Sequence, residues 1–98
     1  NKVFIMAKEV IKKDGTKELF DIEKVRKAIA LAAEEAGLSE EKKNEVVERV
    51  AAAVIQATEG KEEITASEIK EKILSELDRI KPAVSTAWRK YDQEKKEA

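Results

Sequence analysis

Lysines gathered around an Asp-Gly pair are the residues of this sequence with the clearest chemistry. Lys12 and Lys13 directly precede Asp14-Gly15, and Lys24 follows in the next segment. Asp-Gly is a strong signal for a tight β-hairpin turn, because Gly readily adopts the positive φ that such a turn requires. Ammonium groups on a hairpin and the free N–H groups of a nearby helix start can converge on a polyphosphate. The segment therefore predicts a binding site for a phosphorylated ligand.

Two short strands and the start of a helix must position these lysines. The strands flank the Asp14-Gly15 turn, and Asp21 then stands where the N-cap of a helix belongs. Because side chains alternate along a strand, Lys12 and Lys13 are expected on opposite faces, one towards a ligand and the other towards solvent or a second phosphate. Lys24, one turn into the helix, can reach back over the hairpin towards the same phosphates.

The remainder of the sequence predicts helices. The first helix spans residues 22–36 with one apolar face and is followed by Gly37, which suits a left-handed C-cap. Ser39 is the expected N-cap of a second helix over residues 40–57. Residues 59–63 are expected to form a polar loop.

A capping box marks the start of the third helix. Thr65 and Glu68 stand three residues apart, so that the hydroxyl can accept from one unpaired N–H while the carboxylate accepts from another. Pro82 suits the first turn of a fourth helix. In that helix Trp88 and Tyr91 share one face, as residues that anchor a core would.

These elements predict an α+β fold in a single domain over residues 1–98. A four-helix bundle is capped by a short β-hairpin or by a small three-stranded sheet, whose third strand comes from the N-terminus at residues 3–5. A hairpin alone is marginally stable in water, so it must pack on the helices. Val10 and Phe20 are the expected contacts.

The two ends of the chain carry the weakest structural signals. Met6-Ala7-Lys8 is favoured as the natural start, which would make most of residues 1–7 vector-derived; the alternative is the strand at residues 3–5. The charged residues 92–98 are expected to fray.

The charge balance argues against a general nucleic-acid binder. The chain has 98 residues, 42% of them charged, with a net charge of -1, whereas nucleic-acid-binding domains are usually strongly basic. The positive excess is local. Residues 8–27 hold seven Lys or Arg against five Asp or Glu, and residues 28–98 hold twelve against sixteen. The basic hairpin therefore favours a small anionic ligand over DNA or RNA.

The sequence lacks the residues that many catalytic and metal sites use. It has no Cys and no His, which excludes thiolate chemistry and removes both the usual general base and the commonest metal ligand. Gly60-Lys61 lacks the preceding glycine spacing and the following Ser or Thr of a P-loop. No apolar run approaches membrane-spanning length and no signal-peptide pattern occurs. We expect a cytoplasmic protein that is not an enzyme and has no membrane partner.

A set of fixed spacings in the hairpin segment matches a known pattern: an apolar residue, any residue, two basic residues, Asp-Gly, a short variable stretch, an apolar residue, Asp or Asn, two residues and Lys. The matching positions are Val10, Lys12, Lys13, Asp14, Gly15, Phe20, Asp21 and Lys24. On these positions the chain resembles the ATP-cone, the nucleotide-sensing module of ribonucleotide reductases and of the repressor that controls their genes. The resemblance implies the same layout, a four-helix bundle covered by a short sheet.

Site residues follow from this resemblance, position by position. It implies that the basic pair, with Lys24, contacts the nucleotide phosphates. It also implies that acidic residues accept hydrogen bonds from the adenine amino group or the sugar, and that an apolar position touches the adenine ring. The nucleotide-binding residues so assigned are Val10, Ile11, Lys12, Lys13, Glu18, Asp21, Lys24 and Thr65.

Each assigned residue also has an ordinary structural interpretation. Lysines keep exposed strands soluble, and Lys24 can pair with Asp21 along the helix. Capping alone explains Asp21 and Thr65, and Glu18 can simply pair with a strand lysine. Val10 and Ile11 can belong to the core.

Two further segments bear on the resemblance. The stretch from Ile64 to Ile69 is similar to the family's second marker, an apolar residue and hydroxyl residues before a helix. The stretch from Ala87 to Tyr91 is similar to the family's closing Ala-Tyr-x-Arg-aromatic pattern, but Asp92-Gln93-Glu94 departs from the Val-Tyr-Arg that follows it. Trp88 is therefore interpreted as a packing residue.

The combined prediction is a regulatory domain that binds ATP or dATP, with Mg²⁺ carried by the phosphates. The resemblance implies that the nucleotide alters self-association or the activity of a host enzyme or regulator, as in allosteric control of ribonucleotide reductase. The alternative is a helical protein-interaction scaffold that has kept the fold and lost the nucleotide. Whether the chain stands alone or is part of a larger protein stays open.

Overall fold

A three-stranded sheet lies at the end of a bundle of four helices where two of the helices begin. The structure is a computed structural model and describes the backbone of residues 9–97 and the side chains of residues 9–90. Its elements are β1 (Glu9–Ile11), β2 (Lys17–Leu19), α1 (Ile22–Glu35), α2 (Glu40–Thr58), β3 (Glu63–Thr65), α3 (Ala66–Ile80) and α4 (Pro82–Glu97). The predicted α+β class is confirmed.

The predicted hairpin forms at the Asp-Gly pair. Gly15 has a φ of 90°, and its N–H donates to the Lys12 carbonyl at 2.9 Å while the Lys12 N–H donates to the Thr16 carbonyl at 2.8 Å. Asp14 accepts from both the N–H of Thr16 at 3.0 Å and its hydroxyl at 2.7 Å. Glycine is favoured here because a side chain at such a φ would be strained.

The third strand of the sheet comes from a place the sequence did not indicate. β3 lies between α2 and α3 and pairs in parallel with β1, so the strand order is β2-β1-β3. The polar loop predicted over residues 59–63 therefore ends in a strand. A three-residue strand is too short to show a periodic pattern, and its pairing depends on a partner far away in sequence. The predicted strand at residues 3–5 lies outside the described residues.

Local capping starts the helices where the sequence predicted. The Asp21 carboxylate accepts from the N–H of Glu23 at 3.0 Å, and the Ser39 hydroxyl accepts from the N–H of Lys42 at 3.3 Å. Gly37, with a φ of 84°, follows the C-cap of α1 and lets the chain turn into α2. α1 and α2 end within a residue of the predicted limits, and α4 continues through the segment in which fraying was expected.

The core lies between the four helices and extends to the sheet. Val10 from β1 and Ile64 from β3 are buried in the same cluster as the helix residues, and Phe20 packs against that cluster. The predicted contacts of the hairpin with the bundle are thereby confirmed. The largest fully buried apolar side chains are Ile29, Val50, Val54, Ile73, Leu77 and Val84.

Trp88 packs against the core from α4, as the sequence predicted. Its indole N–H is buried, with no hydrogen-bond acceptor among the described residues. The matching prediction for Tyr91 concerns a side chain outside the described set.

A polar cluster joins the end of α3 to the start of α4. The Asp78 carboxylate accepts from the buried Ser85 hydroxyl at 2.6 Å and from two guanidinium nitrogens of Arg89 at 3.2 and 2.9 Å. These hydrogen bonds from Arg89, and then from Ser85, hold the pKa of Asp78 below its usual value of 3.8. The charged carboxylate therefore stabilises the corner between the two helices.

Replacing Asp78 should change how stability depends on pH. A carboxyl whose pKa is lower in the folded state stabilises the protein above its unfolded pKa, and this contribution is lost as the pH falls through the folded pKa. We expect Asp78→Asn to be less stable than the wild type near neutral pH, and the difference to shrink as the pH falls below 3.8, the usual value for this carboxyl. Urea denaturation of both proteins across this range measures it. A difference independent of pH would contradict the ion-pair explanation.

Candidate functional site

The buried residues of the sheet define which face carries the candidate site. Val10 is opposite Glu18 on β2 and opposite Ile64 on β3, and residues directly opposite each other share a face. Since Val10 and Ile64 are buried in the core, this face is the one that meets the helices. We call it the inner face. Lys12, two residues beyond Val10, lies on the same side by strand alternation.

Three of the predicted site residues meet at the edge of the inner face. One oxygen of Glu18, Oε2, lies 3.2 Å from Nζ of Lys12, and the other, Oε1, lies 3.7 Å from Nζ of Lys24. We call these residues the Lys12–Glu18–Lys24 cluster. Glu18 lies in β2, Lys24 lies in α1, and Lys12 directly follows β1. Their side chains are between 40% and 71% exposed. Both ammonium groups are thus held close together and remain open to solvent.

Neither Lys12 nor Lys13 lies in a strand, in contrast to the prediction for both residues. β1 ends at Ile11, and the hydrogen bond from Gly15 to the Lys12 carbonyl closes a loop over residues 13–15. A three-residue hairpin loop of this kind needs one more turn residue than the Asp-Gly pair alone supplies. Lys13 is exposed and has no salt-bridge partner among the described side chains.

Asp21 and Thr65 are both engaged in helix capping. Asp21 caps α1, whose first turn also carries Lys24. The Thr65 hydroxyl accepts from the N–H of Glu68 at 3.1 Å, while the Glu68 carboxylate accepts from the N–H of Thr65 at 3.0 Å. The predicted capping box is thereby confirmed. The hydrogen bond from the Thr65 N–H, and then the charge of Lys61, lower the pKa of Glu68.

Two of the predicted site residues lie on the other face of the sheet. Ile11 and Thr65 are opposite each other in register, one residue along from Val10 and Ile64, so they belong to the outer face. On the same face Lys17 donates to Glu63 at 2.8 Å across the sheet. The structure therefore separates Ile11 from Val10, although the sequence grouped them as apolar contacts for one ring.

Lys24 and Arg26 form salt bridges that were not predicted from the sequence. The described salt bridge of Lys24 is to Glu18 on the hairpin and not to Asp21 on its own helix. Arg26, which the sequence left out of the site, pairs with Glu48 and so ties α1 to α2. Glu48 is 22 residues from Arg26, and the pairing of Glu18 with Lys24 depends on how the hairpin packs beside α1, so only the fold reveals these pairs.

The chemistry available at this site is anion binding. The cluster has two ammonium groups and one carboxylate, and Lys13 adds a further exposed cation in the turn. Among the described residues, no three acidic side chains lie close enough to hold a metal ion. A ligand's phosphates would meet lysines from both the hairpin and α1.

Two recesses lie elsewhere on the described surface. One of about 400 Å³ lies between α1 and α4 and is lined by Leu31, Ala32, Glu34, Glu35 and Ala87. Another of about 300 Å³ lies beside α3 and is lined in part by Lys61, Ile64 and Glu68. Neither lining contains a predicted site residue.

The fold and the site together define a small α+β module in which lysines of the hairpin turn and of the first helix lie at one edge of the sheet. Comparison with protein families gives a match to the ATP cone domain over residues 8–97, nearly the whole chain. The chain therefore belongs to the ATP-cone family, which confirms the resemblance carried by the Lys12–Lys24 segment. Comparison with curated proteins gave no match.

Membership of this family has a functional implication. The ATP-cone is a regulatory domain and not a catalytic one, and it binds nucleotides such as ATP or dATP. No helix in the described part of the chain has both the length and the apolar character needed to cross a membrane.

The contribution of the Thr65 capping box to the stability of the fold can be measured by substitution. We expect Thr65→Ala to lower the free energy of unfolding by about 0.5–2 kcal/mol, because the first turn of α3 loses its hydroxyl acceptor. Thr65→Ser keeps the hydroxyl and should recover most of this loss. Chemical denaturation of the three proteins measures the effect. Equal stability of Thr65→Ala and the wild type would show that the cap does not stabilise α3.

Proposed function

We propose that this domain binds ATP or dATP at the edge of the inner face, with the phosphates held by Lys12 and Lys24. The observation that supports this most strongly is that ammonium groups from the hairpin and from α1 lie 3.2 and 3.7 Å from the two oxygens of one carboxylate. Two cations brought to one anionic group form an arrangement that a phosphate can also occupy. Lys13, exposed in the turn, is positioned to add a third contact.

The remaining part of the nucleotide would lie along the hairpin and the start of α1. We propose that Glu18 and Asp21 accept hydrogen bonds from the adenine amino group or the ribose hydroxyls. Val10 shares the inner face with the lysines but is only 9% exposed, so it can offer an edge of its side chain to the ring. Ile11 and Thr65 would contact the ligand only where it passes the rim of the sheet.

Magnesium would enter with the nucleotide. Mg²⁺ prefers phosphate oxygens and water and is often bound through one or two carboxylates together with substrate phosphates. We therefore propose that the phosphates supply most of its ligands here.

Regulation requires that the nucleotide bind one state of the domain better than another. We propose that occupancy changes how the domain associates with itself or with a host enzyme or regulator. The hairpin is the element best placed to respond, because its inner face packs on the bundle and would contact the ligand at its edge.

Removing the two lysines should abolish binding without unfolding the domain. We expect Lys12→Ala combined with Lys24→Ala to lower ATP affinity by about 100-fold or more, since hydrogen bonds to charged groups contribute about 1.5–3 kcal/mol each. Stability should change by less than about 1 kcal/mol, because exposed ion pairs contribute little to folding. Isothermal titration with Mg-ATP and urea denaturation measure the two effects.

A matched control removes the same charge elsewhere. Lys42→Ala combined with Arg49→Ala takes two exposed cations from α2 and should leave ATP affinity within a few-fold of the wild type. Equal ATP binding by the Lys12/Lys24 variant and this control would refute the phosphate assignment. Absence of binding by the wild type at millimolar ATP would favour the scaffold alternative.

The regulatory part of the proposal has its own test. We expect the particle size, measured by light scattering with size-exclusion chromatography, to differ between the free domain and the domain saturated with ATP or dATP. If titration confirms that both nucleotides bind and the particle size still does not change, control through self-association would be contradicted.

A further inference from the structure

We propose that Glu18 is a built-in competitor for the phosphate site, an anionic side chain that occupies the two lysines until a ligand displaces it. This inference rests on the proposed function, because it concerns the same two ammonium groups. The proposed function names residues that promote phosphate binding, and Glu18 is here a residue that weakens it.

The geometry of the carboxylate carries this inference. Each of its two oxygens contacts a different ammonium group. Oε2 faces Lys12 at 3.2 Å and Oε1 faces Lys24 at 3.7 Å, so the carboxylate bridges the two ammonium groups. A phosphate that bridges the same groups would need the same space and would bring its negative charge against that of Glu18. Like charges at such distances disfavour one another, so the carboxylate must move away when the phosphate enters.

The place of Glu18 in the fold allows such a movement. Its side chain is 40% exposed, so the carboxylate can leave the lysines without being buried unpaired. With a bare polyphosphate it turns into solvent, and with ATP it turns towards the base or sugar, where the proposed function places its hydrogen bond. Among the described residues, Glu18 and Lys24 form the only salt bridge between the hairpin and α1. Displacement would therefore also break the one electrostatic link between these two elements, which connects ligand binding to the position of the hairpin.

The expected size of the competition is modest. Exposed ion pairs contribute little each, because water screens both charges. Removing the competing charge should therefore raise the affinity for a bare polyphosphate by about three- to tenfold at low ionic strength.

The test uses Glu18→Gln and inorganic tripolyphosphate, which carries the phosphates of ATP without the base or sugar. Glutamine keeps the shape of the side chain but removes its charge. Isothermal titration at low ionic strength compares the variant with the wild type. We expect tripolyphosphate to bind the variant about three- to tenfold more tightly, and the gain to disappear when Lys12→Ala and Lys24→Ala are added.

Glu63→Gln is the matched control for the general effect of charge. Glu63 lies in the same sheet, pairs with Lys17 at 2.8 Å and has a similarly exposed side chain, 46% against 40% for Glu18. It lies on the outer face, so it does not touch the cluster. We expect Glu63→Gln to bind tripolyphosphate as the wild type does.

The possible outcomes distinguish this inference from the proposed function. An equal gain in both variants would mean a general charge effect, and weaker binding by Glu18→Gln would mean that Glu18 arranges the lysines for the ligand; either result overturns the competitor role while nucleotide binding stands. Wild-type protein and Glu18→Gln that bind neither Mg-ATP nor tripolyphosphate would overturn both proposals together.

Discussion

Burial of Val10 against the helices is the constraint on which the rest of the site depends. Once this residue of the central strand faces the core, strand alternation and register place Glu18 and Lys12 on the same side of the sheet. The chain then turns directly into α1, which brings Lys24 within reach of Glu18. A slip of one residue in the hairpin would turn Glu18 to the outer face and separate it from both lysines.

Helix caps hold the same end of the bundle in place. Asp21 caps α1 two residues after β2 ends, and Thr65, the last residue of β3, caps α3. Both helix starts therefore lie beside the sheet, where their unpaired N–H groups and positive dipole ends favour anions. Basic side chains and helix starts are thus combined at one end of the molecule, although the chain as a whole has a net charge of -1.

Features that depend on neighbouring residues could be predicted from the sequence. The turn at Gly15, the cap at Asp21 and the capping box at Thr65 each involve residues within a few positions of one another, and all three occur in the structure. Features that depend on how the elements pack in three dimensions could not be predicted. The parallel pairing of β3 with β1 joins segments separated by two helices, and the choice of Glu18 over Asp21 as the partner of Lys24 depends on how the hairpin folds over α1. The resemblance predicted which residues bind the nucleotide, but only the fold shows that Ile11 and Val10 lie on opposite faces.

The central claim is that a nucleotide binds between the hairpin and the start of α1. The most direct measurement is the change in backbone amide chemical shifts of the domain as Mg-ATP is added. The site described above predicts that the largest changes fall on residues 10–24 and around Thr65, with small changes in the recess between α1 and α4. Changes centred on Leu31 and Ala87 in that recess, with the hairpin unaffected, would contradict it.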